Sequence, residues 1–144
     1  GLRLIKASTT EMDECDVVVP RLHVAEFIAF ASSLQKKHGV RIRSFGHAGD
    51  GNLHIYILRD ELDEKAWKKT LGAVFKELYD RAHELGGQVS GEHAIGHAKK
   101  DYLRLSAGET AYGLMAAIKQ VFDPKGILNP GKVCHDLTGG ERDA

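Results

Sequence analysis

The sequence predicts an α+β fold with the ferredoxin-like order β-α-β-β-α-β, in which two helices cover one face of an antiparallel sheet. Three observations support this fold. Residues 40–45 and 53–58 each alternate between apolar and polar side chains with period two, as half-buried strands do. A segment with apolar residues at helical spacing precedes this pair of runs, and a second such segment follows it. Short strand-like runs at 16–19 and 88–90 complete the order, and further helices are expected after it.

The first predicted strand and helix lie near the N-terminus. Residues 16–19 are a β-branched run closed by a proline, whereas residues 1–14 show no clear pattern and are expected to be irregular or an edge segment. From Arg21 onward the apolar residues recur at helical spacing. A basic last turn before Gly39 predicts that this helix ends near His38.

The predicted hairpin carries a polar face. Asp50-Gly51 predicts a two-residue type I′ turn, which would place His47 directly opposite His54. The side chains that share this face are Arg43, Phe45, His47, Asn52, His54 and Tyr56. The opposite face, with its isoleucines, is expected to meet the helices. Two imidazoles on one sheet face are half of a first-row metal site, and solvated histidines on an exposed sheet face are the alternative interpretation.

The segment Gly91-Glu92-His93 follows the predicted fourth strand and supplies further polar groups. Its glycine lets the backbone bend or approach a ligand closely. The Glu92 carboxylate would complete a set of two histidines and one carboxylate. His93 would remain free as a general base, because the ordinary pKa of imidazole lies near neutrality. An ordinary surface loop is the alternative interpretation of this segment.

The remaining helices are predicted from apolar spacing. The clearest helical stripe covers 67–85 and ends at Gly86-Gly87. Beyond the sheet, a helical turn is expected over 98–105 and a helix over 110–122. The inward residues of that last helix are expected to be Leu114, Ala117, Ile118 and Val121. The predicted domain spans residues 1–138, and the polar tail 139–144 is expected to be disordered.

Composition excludes several classes of protein. The chain has 20 Lys plus Arg and 20 Asp plus Glu, so it has no basic field that would attract nucleic acid or anionic lipid. Cys15 and Cys134 have no C-x-x-C spacing and predict neither a disulfide framework nor a cysteine zinc site. There is no apolar run of the roughly 20 residues that span a membrane and no signal peptide, so a cytoplasmic protein is expected. Because the sequence begins with Gly1, we expect a segment of a longer protein.

Three linked motifs follow one another along the chain. They are GHAGDGNLH at 46–54, SGEH at 90–93, and FDP at 122–124 with ILNPGK at 127–132. Together they resemble the C-terminal domain of FAD-linked 2-hydroxy-acid oxidoreductases of the vanillyl-alcohol-oxidase type. That family includes D-lactate dehydrogenases, the FAD subunit of glycolate oxidase and D-2-hydroxyglutarate dehydrogenases. The run DVVVPR at 16–21 is also similar to the family's first strand of this domain, so the resemblance covers nearly the whole chain.

The resemblance implies a role for each matching residue. In metal-dependent members the residues that match His47, His54 and Glu92 bind a divalent metal, here expected to be Zn or Mn. The residue that matches Asn52 lies at the substrate, and the one that matches His93 removes the hydroxyl proton. The implied site therefore joins the hairpin to the motif that begins at Ser90.

The resemblance also implies what completes the chain. FAD is held mainly by an N-terminal domain that this chain lacks, and the residues near Asn129 and Lys132 return towards that flavin domain. One departure is Ala94, where the family commonly has glycine. The side-chain methyl group of alanine restricts the backbone conformations available next to His93.

The sequence therefore leads to one main hypothesis and two alternatives. The chain is expected to be the substrate, or cap, domain of an FAD-dependent enzyme that oxidises a D-2-hydroxy acid to the 2-oxo acid, and to be inactive alone. Its partners would be the substrate, the upstream FAD-binding domain and an electron acceptor, through which any membrane contact would be peripheral. The first alternative is a stand-alone metal-binding module or metallohydrolase on a ferredoxin-like sheet. The second is a non-enzymatic regulatory or interaction domain, since this fold hosts many functions.

Overall fold

The computed structural model describes residues 2–134 and confirms the α+β class. In chain order the elements are α1 (Leu2–Lys6), β1 (Met12–Val18), a 3₁₀ turn (Arg21–His23), α2 (Val24–His38), β2 (Arg41–His47), β3 (Asn52–Leu58), α3 (Glu64–Glu84) and α4 (Lys100–Phe122). The chain forms two compact units, of which the first ends at His93 and the second begins at Ala94. The polar tail predicted over 139–144 lies outside the described residues.

The sheet is antiparallel and has three strands in the order β1-β3-β2. The predicted fourth strand is reduced to a single bridge on the outer edge of β1. There the backbones of Val18 and Gln88 exchange two hydrogen bonds, of 3.1 and 2.8 Å. The ladder stops after this pair because the backbone N–H groups of residues 91–93 turn to a side chain of β1, the carboxylate of Asp16. The ferredoxin-like order is therefore kept, with its last edge strand shortened.

The apolar face of the sheet belongs to the core of the first unit. Helices α2 and α3 contact the sheet and each other. The buried side chains of this layer are Cys15, Val17, Ile42, Leu53, Ile55 and Ile57 on the strands, Phe27, Ala31 and Leu34 on α2, and Trp67, Val74, Leu78 and Ala82 on α3. Gly39 ends α2 in the left-handed conformation, as predicted, with φ 65°. The isoleucine face therefore meets the helices, which leaves the histidine face on the other side.

The first strand differs from the prediction because it begins at Met12 instead of Asp16. The segment before it is also not wholly irregular, since Leu2–Lys6 is a short helix. Glu14 and Asp16 alternate along β1 with the buried Cys15 and Val17. Acidic residues are uncommon in strands, and they occur here because their side chains point to the polar face.

The second unit contains α4, which has a kink at Gly108, where φ is 78° and ψ is 159°. The two predicted helical segments correspond to the two sides of this kink. The expected inward face is wrong: Leu114, Ile118 and Val121 are 60–76% exposed, and Ala117 is exposed as well. The helix instead turns Tyr112 and Ala116 inward, one turn apart, to a small cluster with Leu103 and Cys134. Among residues 2–134, none of the helices combines the length and the apolar character that a membrane span requires.

Candidate functional site

The hairpin between β2 and β3 places its polar side chains on one face, as predicted, but with a different turn. His47 pairs with Asn52, Phe45 with His54 and Arg43 with Tyr56. The expected direct pairing of His47 with His54 is wrong, because the turn contains four residues, 48–51, instead of two. The shift in register is two residues, so every side chain stays on its predicted face.

Contacts with another part of the chain explain the longer turn. The carbonyl oxygen of His47 accepts hydrogen bonds from the N–H groups of Asp50 and Gly51, at 2.9 and 3.1 Å. The Gly51 carbonyl accepts from the Val19 N–H at 3.0 Å, just after β1. Gly51 has φ 79°, and a Cβ there would lie 2.0 Å from the Val19 carbonyl oxygen. Asp50 lacks the positive φ that a type I′ turn needs, so that predicted turn type is also wrong.

The three predicted metal ligands lie together. The rings of His47 and His54 are diagonal neighbours, with centroids 6.3 Å apart and nearly perpendicular planes. Glu92 Oε1 lies 2.9 Å from His54 Nε2. One ligand atom from each of His47, His54 and Glu92 lies within 4.8 Å of the other two. Two imidazole nitrogens and a carboxylate oxygen at this separation form a donor set that suits Zn²⁺ or Mn²⁺.

The segment that carries Glu92 and His93 is held by a buried carboxylate of β1. Asp16, only 1% exposed, accepts a hydrogen bond from the Ser90 hydroxyl at 2.8 Å. It also accepts from the backbone N–H groups of Gly91, Glu92 and His93, at 3.2, 3.3 and 2.9 Å. Four donors converge on one side chain, so the position of this segment is set by β1. No role for Asp16 beyond a place in the first strand was predicted from the sequence.

His93 lies against the histidine face. Its ring stacks on that of His54, with centroids 4.9 Å apart and planes inclined by 29°. Its Nδ1 is 3.2 Å from Glu14 Oε1, whereas its Nε2 is 3.8 Å from Glu92 Oε1. The side chain is 48% exposed. One ring nitrogen therefore faces a carboxylate of β1, and the ring remains accessible from outside.

Glu14 is a further candidate residue that was not predicted from the sequence. Its Oε1 is 2.6 Å from His54 Nδ1, and its Oε2 accepts a hydrogen bond from the Tyr56 hydroxyl at 2.7 Å. Burial, together with this hydrogen bond, raises the pKa of the Tyr56 phenol, so the phenol remains a donor. Glu14, His54 and His93 also form a second group of possible ligands within 4.8 Å. Period-two alternation of acidic residues before the β-branched run was the signal that could have revealed Glu14.

Asn52 is buried beside the same segment. It is 7% exposed, and within residues 2–134 its Oδ1 atom has no hydrogen-bond partner. The backbone of Gly91 approaches this amide so closely that a Cβ at Gly91 would lie 2.0 Å from Asn52 Oδ1. A buried acceptor without a donor costs about 1–3 kcal/mol, which is an arrangement typical of functional sites.

Asn129 and Lys132, the two residues expected to lie towards the flavin domain, belong to the second unit. Asn129 and Lys132 are both exposed, in the turns after α4. Asn129 has a left-handed backbone, with φ 47°. The start of these turns is stabilised by Asp123, whose carboxylate accepts from the N–H groups of Ile127 and Leu128 at 3.0 and 2.9 Å.

Comparisons with known proteins identify relatives along nearly all of the chain. The family described as "FAD linked oxidases, C-terminal domain" matches residues 2–133. A D-lactate dehydrogenase from Anaerostipes hadrus is 48% identical over 136 residues, 94% of this chain and 29% of the relative. The glycolate oxidase subunit GlcD of Bacillus subtilis is 38% identical over 82% of this chain and 25% of the relative. A D-2-hydroxyglutarate dehydrogenase from Stutzerimonas stutzeri is 42% identical over 62% of this chain and 19% of the relative. The chain thus spans less than a third of the length of these relatives.

Proposed function

Because the chain belongs to the family of FAD linked oxidases, C-terminal domain, we propose that it is the substrate domain of an enzyme that oxidises a D-2-hydroxy acid to the 2-oxo acid. Relatives named as dehydrogenases or oxidases of D-lactate, glycolate and D-2-hydroxyglutarate support this substrate class. Their much greater length supports a separate, upstream domain that holds most of the FAD. Asn129 and Lys132 would face that domain.

One observation carries the proposal: His47, His54, Glu92 and His93 lie together on the side of the sheet opposite α2 and α3. His47, His54 and Glu92 would hold a divalent cation, Zn²⁺ or Mn²⁺, and their donor set and spacing fit it. When bound, the cation supplies a Lewis acid for the substrate hydroxyl, and FAD supplies the two-electron oxidant.

The residues of this chain then bind the substrate and manage its proton. Oxidation of a 2-hydroxy acid removes the hydroxyl proton, and the C2 hydrogen leaves with two electrons. His93 is the group that would take the hydroxyl proton, through Nε2, because its Nδ1 faces Glu14. Asn52 would orient the substrate through its buried amide. Asp16 holds His93 at the site, because its carboxylate accepts a hydrogen bond from the backbone N–H of His93.

The test of this function uses the full-length protein, with its flavin domain. Under anaerobic conditions the flavin absorbance should bleach on mixing with D-lactate, glycolate or D-2-hydroxyglutarate. His93→Ala should lower kcat by roughly 10²–10⁴, the range for loss of a general base, with a much smaller effect on KM. Glu92→Ala should impair both binding and turnover, whereas His83→Ala, an exposed histidine on α3, serves as the control. Lack of bleaching with a broad panel of 2-hydroxy acids would refute the proposed activity.

The metal centre is tested separately on this chain. Calorimetric titration with Zn²⁺ or Mn²⁺ should give weak binding, because the groups that a covering domain would add around the ligands are missing. The His47→Ala, His54→Ala double variant should abolish the heat of binding, and His83→Ala should leave it unchanged. Equal heats from the double variant and the wild type would exclude these ligands.

A further inference from the structure

One carboxylate oxygen of Glu14 lies close to the Nδ1 atoms of two histidines, the candidate metal ligand His54 and the candidate base His93. Glu14 Oε1 lies 2.6 Å from His54 Nδ1 and 3.2 Å from His93 Nδ1. We propose, building on the proposed function, that Glu14 is a positioning residue that holds the proton on Nδ1 of both His54 and His93 and so leaves both Nε2 atoms as lone-pair donors.

The donor and acceptor chemistry of the groups supports this assignment. An ionised carboxylate only accepts hydrogen bonds, so a ring nitrogen at hydrogen-bond distance from it carries the proton. A neutral imidazole has one N–H, and its other nitrogen then presents a lone pair. His54 Nδ1 is hydrogen-bonded to Glu14 Oε1, and His93 Nδ1 lies 3.2 Å from the same oxygen. With a proton on each Nδ1, His54 Nε2 can ligate a cation and His93 Nε2 can accept a proton.

His54 lies between two carboxylates, and the geometry distinguishes them. Glu14 is 2.6 Å from Nδ1 and Glu92 is 2.9 Å from Nε2. Because a neutral imidazole has only one proton to donate, it satisfies one carboxylate and directs a lone pair at the other. If Glu14 receives the proton, His54 Nε2 and Glu92 Oε1 are two acceptors that face each other, and a cation between them removes the repulsion. A histidine that ligates a metal and donates its other N–H to a carboxylate is a common arrangement.

Glu14 is more firmly held than Glu92. It lies within β1, directly opposite Tyr56 of β3 in the strand register, and its other oxygen accepts the Tyr56 hydroxyl at 2.7 Å. Its side chain is 23% exposed, against 47% for Glu92. Because Glu14 is held within the sheet, it is suited to orient the two imidazole rings. Glu92 is more exposed and lies after the sheet, so it is suited to bind a ligand.

The same distances allow a competing arrangement, in which Glu14, His54 and His93 themselves hold the cation. That arrangement would use the Nδ1 atoms of both rings and would remove His93 from proton transfer. It would also leave His47, which lies on the Glu92 side of His54, without a role. The two arrangements predict opposite ring tautomers, so they can be separated by experiment.

The experiment combines histidine side-chain ¹⁵N NMR with Zn²⁺ titration of this chain. With or without metal, His93 should show a protonated Nδ1 and an unprotonated Nε2. His54 should show a protonated Nδ1 and a metal-bound Nε2 once Zn²⁺ is added, because the cation separates Nε2 from Glu92 Oε1, 2.9 Å away. Glu14→Ala should convert the His93 ring to a tautomer mixture, should move the His54 proton to Nε2 beside Glu92, and should weaken Zn²⁺ binding by about 10–100-fold, the usual effect of removing such a partner. Asp13→Ala, which removes the neighbouring carboxylate of β1, should change neither readout.

Two further variants guard against a simple folding defect. Glu14→Gln keeps an oxygen acceptor at the same reach and should retain most of the Nδ1–H tautomer. Tyr56→Phe leaves Glu14 in place but removes its anchor, so it should give an intermediate effect. Circular dichroism should show all three variants folded. A full tautomer change in Glu14→Ala, a partial one in Tyr56→Phe and none in Glu14→Gln supports orientation by the carboxylate oxygen.

The failure of this inference can be distinguished from failure of the proposed function. Unchanged tautomers in Glu14→Ala would overturn the role of Glu14, even if the enzyme oxidises 2-hydroxy acids. Zn²⁺ binding that survives His47→Ala but is lost in Glu14→Ala would also overturn it, since Glu14 would then be a ligand. If the wild type binds no Zn²⁺, the His93 tautomer in the metal-free wild type and in Glu14→Ala still decides the role of Glu14.

Discussion

Asp16 Oδ2 accepts a hydrogen bond from the backbone N–H of His93 at 2.9 Å, although 77 residues separate the two. The same carboxylate binds the Ser90 hydroxyl and two more backbone N–H groups. These hydrogen bonds take the place of the backbone pairing that an edge strand would make. The chain therefore leaves the sheet after Gln88 and brings His93 beside His54. A buried structural carboxylate thus determines where the segment with Glu92 and His93 lies.

Removal of this carboxylate should therefore release the segment. Asp16→Ala leaves up to four donors without their acceptor and should lower the free energy of unfolding by about 2–4 kcal/mol. Urea denaturation should show this loss, and hydrogen exchange should accelerate at the amides of residues 91–93. Asp50→Ala, in the exposed hairpin turn, is the matched control and should leave both measurements near the wild type. Unchanged exchange at residues 91–93 in Asp16→Ala would contradict the assigned role.

Gly91 is required by its close approach to two polar side chains. A Cβ at this position would lie 2.0 Å from Asn52 Oδ1 and 3.0 Å from Asp16 Oδ1. Gly91→Ala should thus destabilise the fold by about 1–3 kcal/mol, as overpacking of a tight site does. Gly49→Ala adds the same methyl group where no atom lies within 4 Å, and it should be close to neutral. Thermal unfolding of the two variants compares them directly, and equal melting temperatures would argue against the contact.

Ala94 has a backbone conformation that favours glycine. Its φ is 61°, in the left-handed region, where a Cβ costs about 1 kcal/mol. Ala94→Gly should consequently raise the free energy of unfolding by up to about 1 kcal/mol. Ala98→Gly, at an exposed position without positive φ, should be neutral or slightly destabilising, because glycine only adds freedom to the unfolded chain there. A loss of stability in Ala94→Gly would contradict the strain.

The pair of Arg41 and Asp60 should make stability depend on pH. A hydrogen bond from the Arg41 guanidinium, 2.6 Å from Nε to Oδ2, lowers the pKa of the Asp60 carboxyl below its ordinary value of 3.8. Its contribution is therefore present above that value and is lost as the pH falls through the lowered pKa of the folded state. Asp60→Asn, which tolerates the φ of 49° at this position, should lower the urea midpoint at pH 7.

The difference should shrink as the pH approaches 3 and disappear below the pKa of the folded state. Glu61→Gln, at the exposed neighbouring position, is the control and should show no such trend. A constant difference between wild type and Asp60→Asn from pH 7 to pH 2 would mean that the charge of Asp60 is not responsible.

Periodicity alone determined the sheet faces of the hairpin and the main helices. His47, His54 and Asn52 were assigned to one face correctly even though the predicted turn was wrong, because a register shift of two residues leaves each side chain on its face. The helix C-terminus at Gly39 followed equally from local chemistry. Period and capping act over a few residues, so they can be read from the chain itself.

The tertiary structure alone decided the register, the fourth strand and the residues around the histidines. The turn length depends on the bond between Val19 and Gly51, and the short edge strand depends on Asp16. Alternation along β1 can place Glu14 on the polar face, but its contact with His54 arises only because β1 lies beside β3. Each of these contacts joins segments that are distant in sequence, and their energies depend on burial and geometry that no local pattern encodes.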